Sequence, residues 1–195
     1  NSENQPQTIL TGATSVMEKI NDFVERELIW SQPRALEMEY ELRHGGLLLA
    51  TMRFRSHLGS FATAESGDGQ WTFKRVGFLE TKVTIRESDS DTDLGIFHNK
   101  TWSEGGTLEM LDGRKYLANT NFWATQYSFK TETGEEIIDY QKIAGVLHMS
   151  AKVTIAPRAR EIAETPWIVL LGWYLVVMMN LEMLPIHYPV SKDKP

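Results

Sequence analysis

The sequence predicts a closed antiparallel β-barrel of about twelve strands around a buried hydrophobic C-terminal helix, with a short N-terminal helix outside it. Two observations carry this. From Leu36 to Ile155 the chain is a succession of short alternating runs separated by turn residues every 8–12 positions or so, the rhythm of an all-β sandwich or barrel. Near the end, Trp167 to Met179 is apolar at every position except Gly172. A helix with no polar face belongs inside a protein core or in a bilayer.

The chain of 195 residues fits one domain with a short arm. Residues 1–27 form that arm. Ser15-Val-Met-Glu18 has capping-box spacing, and Val16, Ile20, Phe23, Val24 and Leu28 recur at helical intervals, predicting an amphipathic helix over 15–25 that packs on the larger body. Its polar face (Glu18, Lys19, Asp22, Glu25, Arg26) is acidic on balance, a poor match for anionic lipid.

The barrel is expected over 28–184. Leu36 to Leu42 alternates apolar and charged residues, Gly45-Gly46 turns the chain, and Leu47 to Phe54 returns. Phe61 to Glu65, the Asp68-Gly69 turn and Trp71 to Val76 make a second hairpin. Thr81 to Glu87 and Leu94 to His98 flank the polar 89–93 turn, and Thr107 to Leu111 and Lys115 to Asn119 flank Asp112-Gly113. Phe122 to Lys130, Glu135 to Lys142 and Val146 to Ile155 complete the series. Strands in meander order favour closure, because closure removes both exposed edges.

A barrel this large encloses more space than its own side chains fill. The axial helix, placed over 165–183, supplies the filling through Trp167, Leu170, Leu171, Trp173, Tyr174 and Val177. Thr165 is placed to cap it and Pro166 suits its first turn. The strictly apolar run is only about 20 Å long, against about 30 Å for a bilayer core, so an axial position is favoured over a membrane span. Gly172 would allow a strand or an aromatic ring to approach the helix backbone. Residues 185–195 form a tail.

A meander of about a dozen strands on a hydrophobic C-terminal helix resembles the tubby C-terminal-like fold of tubby proteins, phospholipid scramblases and LURP-one-related proteins. Leu28-Ile-Trp-Ser-Gln-Pro33, Glu39-Tyr-Glu-Leu-Arg43, Gln70-Trp-Thr-Phe-Lys-Arg-Val-Gly77, Gly106-Thr-Leu-Glu109, Asn121-Phe-Trp123 and Leu170-Leu-Gly-Trp-Tyr-Leu175 are similar, in order and spacing, to uncharacterised bacterial members of that superfamily. The resemblance implies the barrel. It also implies, by analogy with tubby proteins, phosphoinositide headgroups as a ligand class. The functional residues of tubby proteins and scramblases do not map onto this chain position by position.

Candidate sites are few. Arg53 and Arg55 share one face of a strand, and Lys74 and Arg75 lie two strands on; converging, the four would hold an anionic headgroup. The competing reading pairs Arg53 and Arg55 across the hairpin with Glu37, Glu39 or Glu41. Asp89, Asp91 and Asp93 imitate the start of a calcium loop, but Leu94 and Lys100 stand where such a loop needs Gly and Glu, so a hairpin turn is the better account. The histidines (His44, His57, His98, His148, His187) form no local metal box. Trp30, Trp71, Trp102 and Trp123 are expected to pack the barrel wall. Gly105-Gly106 reads as a bulge or turn.

With no cysteine, disulfides and thiolate sites are excluded, which fits a reducing compartment. The net charge of -6 argues against nucleic acid as a partner. The expected function is a non-enzymatic binding or scaffold domain, cytoplasmic and membrane-peripheral, recognising an anionic phospholipid headgroup or a protein and using no cofactor or metal. The main competitor is a protein whose C-terminal helix inserts in lipid. An enzyme ranks last, for want of a catalytic constellation.

Overall fold

The computed structural model describes residues 17–57, 59–77, 81–101, 105–121, 123–144 and 148–183. Twelve strands follow one another: β1 (Glu27–Ser31), β2 (Glu39–His44), β3 (Leu47–Phe54), β4 (Phe61–Ser66), β5 (Gly69–Val76) and β6 (Lys82–Glu87). Then come β7 (Asp93–Thr101), β8 (Gly105–Met110), β9 (Lys115–Thr120), β10 (Gln126–Thr131), β11 (Glu136–Ala144) and β12 (Ser150–Ile155). Each pairs antiparallel with the next, and β1 pairs with β12 to close the barrel, Leu28 opposite Val153 and Trp30 opposite Ala151. The closing strand β1 was missing from the alternating runs read in sequence. It is five residues long and Pro33 follows closely, so its pattern barely repeats.

Period two then sorts side chains to two faces. In β5, Trp71 and Phe73 point in and Lys74 points out; in β12, Ala151, Val153 and Ile155 point in. Into this lining packs α1 (Thr165–Met183). Trp167, Leu170, Leu171, Trp173, Tyr174 and Val177 are all buried, as the axial position requires. By length and composition the helix could cross a membrane, yet 83% of its Thr165–Glu182 window is buried inside the barrel. Each large side chain so enclosed is worth on the order of 1.5–3 kcal/mol over leaving it in water.

Two contacts fix the helix against the wall. A Cβ at Gly172 would lie 2.2 Å from the Tyr140 hydroxyl oxygen, so only glycine admits this ring. The same hydroxyl donates to the Val169 carbonyl at 2.8 Å. Trp173 stacks on Trp30 with ring centroids 5.4 Å apart and planes 4° from parallel. Thr165 does not cap the helix as its sequence context predicted: its hydroxyl donates to the Ala159 carbonyl at 2.6 Å. Ala159 is buried in the turn before the helix, and its carbonyl accepts from the Ile162 N–H (3.1 Å) as well.

The helix defines two ends of the barrel. At the entry end lie the turns β2–β3, β4–β5, β6–β7, β8–β9 and β10–β11; Arg114, in the β8–β9 turn, donates to Glu164 just before the helix at 2.5 Å. At the exit end lie the connections β1–β2, β3–β4, β5–β6, β7–β8, β9–β10 and β11–β12, and there the Tyr174 hydroxyl donates to Ser60 at 2.6 Å.

The N-terminal segment departs from expectation. Within the described residues the helix predicted over 15–25 is a single 3-10 turn, Ile20–Phe23; positions 15 and 16 lie outside them. Its start is held extended because the Glu18 N–H donates to the Leu48 carbonyl (3.2 Å), its carbonyl accepts from Gly67 (3.2 Å), and the Ile20 N–H donates to Asp68 (2.7 Å). Ile20 and Val24 are buried in the main core, so this segment stoppers the entry end rather than lying outside it.

Candidate functional site

The four cations singled out in sequence do not converge. Arg53 lies opposite Glu39 on β2 and donates to it at 2.7 Å, the cross-strand pairing weighed against a headgroup site. Arg75 continues the inward row of Trp71 and Phe73. It pairs with Glu182 in the last turn of α1, and its backbone N–H reaches the Tyr174 hydroxyl. Lys74 is its neighbour in sequence but faces solvent. Arg55 also faces out, its guanidinium 4.5 Å from the Phe61 ring centroid. Phe61 lies opposite Lys74, so Arg55, Phe61 and Lys74 form one outward row at the exit end, two cations flanking a ring.

The row extends around the rim. Arg55, Lys74 and Lys100 stand at three consecutive connections, β3–β4, β5–β6 and β7–β8, and all three are exposed. Among the described residues, the nearby carboxylates Glu37, Glu39 and Glu182 are engaged, with Arg34 (3.1 Å), Arg53 and Arg75. The entry end has the opposite character, its turns carrying Asp68, Asp89, Asp91, Asp112, Glu132 and Glu135. There the Arg114 backbone N–H (3.1 Å) and then its guanidinium (2.7 Å) donate to Asp112 and hold its carboxyl below the usual carboxylate range.

Beside the rim, the β1–β2 connection folds over the outer face of β2–β5 and leaves a groove of about 450 Å³ lined by Arg34, Glu37, Glu39, Glu41, Arg53 and Glu65, among others. Its carboxylates outnumber its guanidiniums. Glu41 is bound by Arg43 at 2.8 Å, and Glu65 accepts from Thr51 at 3.3 Å. Arg53 therefore stands in a wall of carboxylates, which is no place for a phosphate.

Asp89 and Asp91 occupy the β6–β7 turn and Asp93 opens β7, where it accepts from Arg86 at 2.6 Å and that bond holds the guanidinium pKa up. Among the described residues, no three His, Asp or Glu side chains gather as metal ligands. His44, His57 and His148 each meet a backbone carbonyl, of Glu27 (2.8 Å), Leu36 (2.6 Å) and Gln32 (3.3 Å); His98 lies 3.6 Å from Glu109. His187 and Trp102 are outside the described residues. Gly105-Gly106 opens β8 beside a register shift between Asn99 and Thr101, as a bulge reading requires.

One aromatic overturns its expectation. Trp30 and Trp71 are buried in the barrel, but Trp123 is 78% exposed. It sits in the β9–β10 turn, not in a strand, so period two never directs it inward. The signal was Asn121, whose side chain organises that turn by accepting from the Thr125 N–H at 2.8 Å.

No protein-family model matches the chain, and no curated protein does. Among solved structures, the X-ray structure of a protein from Arabidopsis thaliana is similar to it, with a TM-score of 0.50 and 12% identity over 85% of this chain and 96% of that one. At that identity the likeness is one of fold alone. The chain is a closed twelve-stranded barrel built on a C-terminal helix, and it shares that fold with the plant protein.

Proposed function

We propose that this chain is a non-enzymatic binding domain of the tubby C-terminal-like superfamily that recognises an anionic phospholipid surface with the exit end of its barrel. The observation that carries the reading is the arc of Arg55, Lys74 and Lys100 on that rim, opposite an end whose turns are acidic. Near an anionic leaflet each cation is worth about 1 kcal/mol, while carboxylates at the far end are repelled. An oriented charge distribution therefore selects which end meets the membrane. The superfamily placement is supported by the meander closed about a C-terminal helix, the architecture the motif resemblance implies. In this reading the protein is bacterial and cytoplasmic and reaches the membrane from that side. Insertion of α1 in lipid is the weaker reading, since the helix serves as the core of the barrel.

A protein partner is a second reading, favoured by the polar groove over β2–β5. Vesicle co-sedimentation separates the two. The whole chain should bind phosphatidylserine-containing vesicles in low salt and release in high salt. The double variant Arg55→Gln, Lys74→Gln should lose roughly thirtyfold in affinity. No binding by the wild type, or equal binding by the double variant, refutes the lipid reading and leaves the groove.

A further inference from the structure

The exit end carries more than charge. Leu36, in the β1–β2 connection, is 74% exposed, and Trp123, in the β9–β10 turn, is 78% exposed. A single connection, β11–β12, separates the two around the rim. We infer that Leu36 and Trp123 are apolar anchors that seat the exit end in the interfacial layer of an anionic membrane, so that the barrel stands on that end. The inference rests on the lipid reading above and names how the surface is engaged.

The backbone holds both residues out deliberately. Leu36 has φ of +65° and Ala124, just after Trp123, has φ of +52°. The left-handed region costs an L-residue roughly 1–2 kcal/mol and persists only where surrounding bonds enforce it. Here they do. His57 shares a 2.6 Å hydrogen bond with the Leu36 carbonyl, and the Glu37 N–H donates to the Arg34 carbonyl at 3.3 Å. At the other turn the Asn121 carboxamide oxygen accepts from Thr125 (2.8 Å) and Gln126 (3.2 Å), its amide nitrogen donates to the Thr125 hydroxyl (2.8 Å), and its carbonyl accepts from Ala124 (2.9 Å). A side chain held on a preformed turn loses little entropy when it enters an interface.

The residue types suit the task. Tryptophan favours the membrane–water boundary, where an apolar ring and an N–H are both served, and leucine adds buried area. Charge alone gives binding that salt removes; apolar anchors add a part that salt leaves in place. Among the described residues one further large apolar side chain is as exposed, Leu111 at 71%, but it stands at the entry end beside Asp112 and Arg114, where an anionic surface is repelled.

The test uses the full chain with phosphatidylcholine vesicles containing phosphatidylserine, with and without brominated acyl chains. Brominated lipid should quench the fluorescence component that Trp123→Phe removes. Trp123→Ala should bind about tenfold more weakly and Leu36→Ser roughly fivefold, and both should release at lower salt than the wild type. Both positions are exposed, so the variants should keep the wild-type melting temperature, which confirms that folding is intact. Wild-type binding with no quenching and unchanged affinity in both variants overturns the anchors while leaving the charge-based reading standing. Absence of wild-type binding overturns both.

Discussion

The two ends of this barrel use the same kind of connection for opposite purposes. At the entry end, polar side chains are spent on one another and on the chain: Arg114 holds Glu164 and Asp112, Asp68 holds Ile20, and Ile20 and Val24 fill the opening. At the exit end, side-chain bonds go largely to backbone, His57 to Leu36 and Asn121 to its own turn, and the Leu36 and Trp123 side chains stand exposed. The first arrangement closes a core. The second keeps a surface ready, in loops where function most often resides.

The strongest challenge to that contrast is a variant that removes the shared scaffold. Leu171→Asp puts an unpaired carboxyl inside the barrel, at a cost comparable to the whole stability of a domain of this size. Circular dichroism should show no cooperative transition; a folded, cooperative variant would refute the axial helix as the core of both ends.

Alkaline pH probes the same core more gently. Burial pushes the Tyr40 hydroxyl up to about 12 and raises those of Tyr127, Tyr140 and Tyr174 as well. In the unfolded chain these groups ionise near their ordinary value of about 10, so above that pH the unfolded state binds fewer protons than the native state. Stability should be level up to about pH 10 and then fall, with a slope on the order of 1.4 kcal/mol per pH unit for each buried tyrosine. A denaturant series that shows no loss between pH 10 and 12 would contradict the buried positions of these rings.

The smallest effect comes from two neighbours. Arg75 is tied to the helix end through Glu182, whereas Lys74 belongs to the rim. Arg75→Gln should lower the melting temperature by a few degrees at most and leave vesicle binding unchanged. Lys74→Gln should do the reverse. Equal effects on binding would erase the distinction between the faces.

That distinction shows how far the sequence was readable. Alternation in Trp71-Thr-Phe-Lys-Arg already places Arg75 with the two aromatics and Lys74 on the other face, so grouping the two cations ignored the period of the strand. Turn chemistry located eleven strands and the axial helix, because glycine and aspartate turns and an all-apolar run are local signals. β1 and the N-terminal stopper were harder. The first is short, and the second is shaped by distant bonds to Leu48, Gly67 and Asp68 that no local pattern encodes. Trp123 falls within the alternating run Phe122 to Lys130, and only the Asn121 turn, which delays β10 to Gln126, takes it out of the wall. The pairing of Arg53 with Glu39 is legible as hairpin register; the arc linking Arg55 to Lys74 and Lys100 also needs each side chain's exposure, which the structure supplies.

Hydrogen exchange on the vesicle-bound protein tests the central claim most directly. The account predicts new protection in the loops carrying Leu36, Arg55 and Trp123, and none in the turns carrying Asp68, Asp89 and Asp112. Protection at those acidic turns, or confined to the outer groove over β2–β5, would contradict it.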